Sequence, residues 1–203
     1  MAKTFTLSRK LLALGYAAVD EHNLIEKSLD VMRQLRDETE ETTLIGVLVD
    51  NEGVVVGQVP STHAVKFFIK VGHHFPLHTA APGKAMVAFL PPDERGALLD
   101  RMSFTRFNER TITDRKRFEE ELADVRAKGY AVDRAEEIDG LHCVAAAVFD
   151  HRGRPLASIW VTGPSYRLRR EDFPRVGLHV MEKAEVISRR FGYMIVDGTG
   201  TDA

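Results

Sequence analysis

Thr42-Thr-Leu-Ile-Gly-Val-Leu-Val49, Asp50-Asn-Glu-Gly53 and Val54-Val-Val-Gly-Gln-Val59 together read as an antiparallel hairpin. Two β-branched, apolar runs flank a short polar turn, the pattern that sets strand pairing. Val65 to Val71 alternates well enough to give a third strand with one solvated face. Upstream, Asp20 to Glu40 has helical spacing: Leu24, Val31, Met32 and Leu35, with Ser28 completing the stripe, oppose Glu26, Lys27, Arg33 and Asp37. A shorter helix, Ser8 to Val19, carries Leu11, Leu12, Leu14 and Tyr16. Downstream, Pro82 suits a first helical turn and opens a helix to Leu90. Another follows from Pro92, and Thr113 caps a third that Gly129 ends. Strands are expected at Tyr130–Arg134, Leu141–Phe149 and Pro155–Thr162, and a closing helix at Glu171–Phe191. This order predicts an α+β fold: one curved antiparallel sheet of about six strands flanked by helices.

The chain has 203 residues, 44% of them hydrophobic, with 28 Lys and Arg against 30 Asp and Glu. The resulting formal charge of -2 offers no global attraction to phosphate backbones, and no basic stripe is visible. One cysteine, Cys143, excludes an intrachain disulfide framework and fits a reducing cytoplasm. The N-terminus lacks the apolar core of a signal peptide, and no run is long enough for a membrane-spanning helix. A cytoplasmic protein with no membrane partner is expected. The tail at 195–203 is small and polar and is expected to be frayed.

Three stretches, in order and spacing, resemble the C-terminal effector-binding domain of IclR-family transcriptional regulators. They are Val71-Gly-His-His-Phe-Pro-Leu-His-Thr-Ala-Ala-Pro-Gly-Lys-Ala85, Arg126-Ala-Lys-Gly-Tyr-Ala-Val-Asp133 continuing through Glu136 to Ala146, and Val148-Phe-Asp-His-Arg-Gly-Arg-Pro155 ending in Trp160-Val-Thr-Gly-Pro164. The resemblance implies a sensor related to the GAF and PAS folds, with no cofactor, assembled as a homodimer or homotetramer. It implies a small organic acid as effector and a preceding winged helix-turn-helix domain. Thr4 to Gly15 resembles the end of the wing and the linker helix. Residues 1–20 are therefore expected to be wing remnant and linker, 21–194 the effector-binding domain, and 195–203 the tail. DNA is expected as a partner only through the missing reading head, and the chain as a fragment of a longer regulator.

A helix N-terminus presents unpaired N–H groups and partial positive charge, a seat for a carboxylate. The resemblance places the effector's acid group at Ala81 and Pro82; proline has no N–H, so Gly83 and Lys84 are candidate donors instead. Asp133 and Cys143 match ligand-contacting positions. An acid beside an acidic effector must accept from a hydroxyl, hold a proton or orient a neighbour; otherwise Asp133 is a surface carboxylate and Cys143 a small buried residue. Trp160 and Thr162 match pocket positions on the last strand, the indole either filling the pocket or offering a face to an aromatic acid. Phe67 matches an apolar pocket wall, with plain core as the alternative.

His73, His74 and His78 are conceivable zinc ligands, but adjacent residues on an extended segment point to opposite faces. The same divergence weighs against a nucleophile–base pair of Cys143 and His142, which with Asp133 would be the working groups of a GAF-like enzyme or metal-binding module. No enzyme is expected. Glu136, Glu137 and Asp139 read as a solvated turn, and Arg167, Arg169 and Arg170 as a phosphate site or, more simply, a solvated loop.

Overall fold

The computed structural model describes residues 24–194. The helix expected at Ser8–Val19, the Asp20 start of the next and the tail at 195–203 lie outside the described residues. The first described helix, α1 (Leu24–Thr39), buries Leu24, Ser28, Val31, Met32 and Leu35, the stripe its spacing required. It stops at Glu40, whose φ of 59° turns the chain into β1 (Thr42–Val49) and its hairpin partner β2 (Glu52–Val59). A bulge at Ile45/Gly46 bends this pair.

The expected third strand at 65–71 is not one. That segment has no ladder and is held by side chains: Thr42 Oγ1 donates to Phe67 O (2.9 Å) and Ile69 N donates to Gln58 Oε1 (2.8 Å). Ladder pairing to β2 comes from β3 (His74–Phe75), opposite Gly53 and Val54. Helices α2 (Ala81–Ala88), α3 (Pro92–Arg101) and α4 (Arg115–Lys128) follow. Asp114, one residue after the expected Thr113, caps α4 by accepting from Arg117 N, and Gly129 ends it at φ 83°. Strands β4 (Ala131–Arg134), β5 (Leu141–Phe149) and β6 (Pro155–Pro164) complete the sheet, and α5 (Phe173–Arg190) closes the described chain.

The strand order is β3-β2-β1-β6-β5-β4, every neighbouring pair antiparallel. The fold is α+β, a curled six-stranded sheet with helices on both faces, as expected. Side chains alternate across it. Ile45, Val144, Ile159 and Val161 face α1 and α5, packing on Leu35, Val180 and Ile187. Leu44, Cys143, Ala145 and Trp160 face the other way, onto Ala81, Ala85, Phe118 and Leu122 of α2 and α4. No helix among the described residues is long and apolar enough to cross a membrane.

Candidate functional site

Register puts one polar row across the sheet beneath α2. Asp133 lies opposite Cys143, Cys143 opposite Thr162, and Thr162 opposite Thr42, so four strands contribute one side chain each. All four are buried. Cys143 Sγ and Thr162 Oγ1 share a hydrogen bond at 3.0 Å, and Asp133 Oδ1 accepts from Glu136 N at 2.8 Å. Thr42 was not among the expected site residues; it completes the row but is already engaged with Ser61 N and Phe67 O. The next row, Ala131, Ala145, Trp160 and Leu44, is apolar.

Above the rows sits the start of α2. Ala80 is extended and gives no side-chain cap, and Pro82 within the first turn has no N–H. Lys84 N already donates to Ala80 O (3.1 Å), which leaves Ala81 and Gly83 as the first-turn donors without an intrahelical acceptor. A Cβ on Gly83 would stand 2.6 Å from Leu77 Cα, so only glycine lets the helix start press onto that loop. Of the two expected donors, Gly83 is therefore free at this end, whereas the Lys84 N–H and side chain are both engaged within the protein. The Lys84 side chain is 0% exposed, and Nζ donates to Glu136 Oε1 (2.6 Å) and Val132 O (3.0 Å), with Glu121 Oε1 at 3.4 Å. Neither is Glu136–Glu137–Asp139 simply a solvated turn: Glu136 is buried, Glu137 accepts from Thr79 Oγ1, and Asp139 is the exposed member, paired with Arg110.

Trp160 is 2% exposed and occupies space between the sheet and α2. Its indole reaches Gly46, where a Cβ would lie 3.0 Å from Cη2, and meets Phe75 edge to face, centroids 5.6 Å apart. Phe67 stands off a strand, partly buried against the same cluster; the ring that Trp160 meets is Phe75.

Adjacent His142 and Cys143 diverge as alternation requires. His142 Nδ1–H donates to Leu168 O (2.8 Å) and its ring stands against Phe173, whereas Cys143 turns to Thr162. Burial pushes the Cys143 thiol up and the His142 imidazole down, so this is not an activated pair. His74 Nδ1 pairs with Glu52 and His78 Nε2 with Thr105 O.

Burial pushes the Asp133 carboxyl up from 3.8 to about 7, against the Glu136 N–H bond and Lys84, which favour its charge. Relative to an unfolded chain, the folded protein then holds an extra proton between those values. Stability on this account is fully present below about 4 and is lost as pH rises through about 7. Asp133→Asn keeps the acceptor and deletes the charge. Urea denaturation should show the variant more stable than wild type at pH 8, by roughly 4 kcal/mol at most, with the difference vanishing near pH 4. Parallel pH profiles would remove Asp133 as the cause.

Residues 16–189 match the family described as bacterial transcriptional regulator IclR C-terminal. The chain is 30% identical over 183 residues to the transcriptional repressor IclR of Escherichia coli K12, covering 89% of this chain and 67% of that protein. Among solved structures it is similar to IclR of Thermotoga maritima, with a TM-score of 0.83, 29% identity, and coverage of 92% of this chain and 75% of that one. The inducer-binding domain of PobR from Acinetobacter, solved as a double mutant with 3-hydroxybenzoic acid, shares the fold at a TM-score of 0.71 and 22% identity, covering 78% of this chain and 94% of that one. The chain spans about two thirds of the length of the curated relatives it matches.

Proposed function

The chain belongs to the IclR family of bacterial transcriptional regulators, and from that premise we propose that it senses a small organic carboxylate, seated between the start of α2 and the Asp133–Cys143–Thr162 row. The observation that carries this reading is one polar row set into an otherwise apolar cluster and faced by uncapped helix donors. The donors of Ala81 and Gly83 take the carboxylate, at a helix end that favours negative charge. Asp133, held at the edge of protonation, sits beside an acid without two full charges opposing each other. Thr162 and Cys143 supply the remaining polar contacts. Trp160, backed by Phe75, forms the apolar wall and favours an aromatic acid; the hydroxybenzoate complex of PobR supports the capacity of this fold for such a ligand.

The same premise supports a role in a cytoplasmic regulator in which the effector shifts the arrangement of subunits and, through it, the binding of DNA by the whole protein. Assembly into a homodimer or homotetramer fits the exposed apolar side chains Val65, Phe68 and Val71 on one segment. Homologues named as regulators, and a Cys143 thiol far from ionisation, favour this reading over an enzyme. Thermal-shift measurements against benzoates, hydroxybenzoates, pyruvate and glyoxylate test it. A benzoate-type acid should raise the melting midpoint, by mass action on the folded state, and be recovered unchanged. Turnover of any of these acids, or no stabilisation by the whole panel, would contradict it.

A further inference from the structure

The strand pair that carries Asp133 and Cys143 on one face carries Arg134 and His142, also directly opposed, on the other. Against that second face lies an open cleft of about 630 Å³, lined by Arg110, Arg134, His142, Ser165, Arg169 and Arg170. Its acidic members are Asp139 and Glu171, so four guanidiniums face two carboxylates. Sequence reading grouped Arg167 with Arg169 and Arg170; the structure separates them, because Arg167 pairs with the buried Glu41 outside this cleft.

The arginines are held to different degrees. Arg110 is positioned by the carbonyl of Ala135, which accepts from its Nε at 2.9 Å, and Ala135 itself adopts φ 62°, costly for a residue with a Cβ. Arg134 donates to Glu121 Oε1 (3.0 Å), and Arg169 Nε to Tyr166 O (3.3 Å). Arg170 is exposed and has no acceptor for its guanidinium among the described residues. Arg110 and Arg134 are each met by a carboxylate, Asp139 and Glu121, which leaves Arg169 and Arg170 without an ion pair among the described residues, a pair of like charges that an anion would relieve.

We propose that this cleft is a second binding site, separate from the acid site, for a dianionic phosphate group, with Arg170 as its unpaired cation and Arg110, Arg134 and Ser165 as supporting donors. Guanidinium forks match phosphate oxygens two at a time. Arg169 and Arg170, without an ion pair among the described residues, remain to take the phosphate oxygens, and the volume leaves room for a small molecule carrying the phosphate. Depression of the His142 pKa, caused first by burial and then by Arg170, Arg110 and Arg134, agrees with three guanidiniums converging there. The site also touches the sensing machinery. Arg134 and Lys84 share Glu121, and Lys84 anchors α2, so phosphate that draws Arg134 away changes the charges holding that helix. Linkage then requires each ligand to alter the affinity of the other by the same factor.

Calorimetric titration of the wild-type protein with inorganic phosphate, phenyl phosphate and succinate, against chloride at matched ionic strength, tests the proposal. Both phosphates should bind, and Arg170→Ala should weaken them at least tenfold. Arg189→Ala, which removes an exposed arginine of α5 that pairs with Glu185 and lies outside the cleft, should leave them unchanged. Thr162→Val, on the opposite face, should also bind phosphate normally, so failure of the acid site would not mimic failure here. Tighter binding of phenyl phosphate identifies a phosphorylated metabolite as the source, and equal binding identifies free phosphate. The proposal is overturned if phosphate behaves as chloride does, if succinate binds as well as phosphate, or if Arg170→Ala has no effect.

Discussion

Lys84→Met is expected to lower the stability of the folded protein by about 3–5 kcal/mol, the usual cost of removing one partner from a buried ion pair. Lys84 is fully buried, and its ammonium is the cation at the centre of Glu136, Glu121 and the Val132 carbonyl. Without it Glu136, 2% exposed and with Oε2 lacking a partner among the described residues, keeps only the longer contact to Arg134 (3.8 Å) against its charge. Burial already raises the Glu136 pKa; losing Lys84 raises it further, so the deficit should shrink as pH falls and protonation removes the stranded charge. Glu136→Gln in the Lys84→Met background should recover part of the loss for the same reason, since it deletes that charge chemically. Urea denaturation of the single and double variants measures this, and a deficit below about 1 kcal/mol would mean that water enters the network.

Trp160→Ala is expected to cost a similar amount, about 3–5 kcal/mol, for a different reason. The indole is buried among Leu44, Ala145, Phe75 and Ala81, and Gly46 is left without a side chain where the ring passes. Truncation removes apolar contact area and leaves a cavity that the rigid sheet refills only partly. The same change erodes the wall proposed for the effector, so affinity for a benzoate-type acid should fall by about 1–3 kcal/mol. A variant that loses stability but keeps full affinity would show the tryptophan to be core only.

The fold was legible where a local signal carries the structure. The hairpin around Asp50-Asn51, the stripe of α1 and the stop at Gly129 are all decided by residues close in sequence. The segment at 65–71 misled because its alternation is real, with Phe67 and Ile69 inward. Its backbone, however, is satisfied by the side chains of Thr42 and Gln58, a choice that local pattern cannot reveal. That Asp133, Cys143 and Thr162 share one face of β4, β5 and β6 follows from alternation along each strand. Lys84 and Glu136 were not legible, since a buried ion pair spanning 52 residues looks in sequence like two ordinary surface charges. Thr42 joins the polar row only through β1–β6 register, and Phe75 meets Trp160 only through the pairing of β3 with β2, neither of which local pattern reveals.

An effector carboxylate is proposed to lie between the α2 start and the Asp133–Cys143–Thr162 row. Calorimetric titration of a benzoate-type acid into wild type and Thr162→Val tests it most directly, because valine keeps the shape and removes only the hydroxyl that Cys143 shares. The account predicts one site per chain and a roughly tenfold weaker affinity in the variant, as expected for losing one polar contact to a charged ligand. Equal affinity in the two proteins, or no binding to wild type by any acid of the panel, would contradict it.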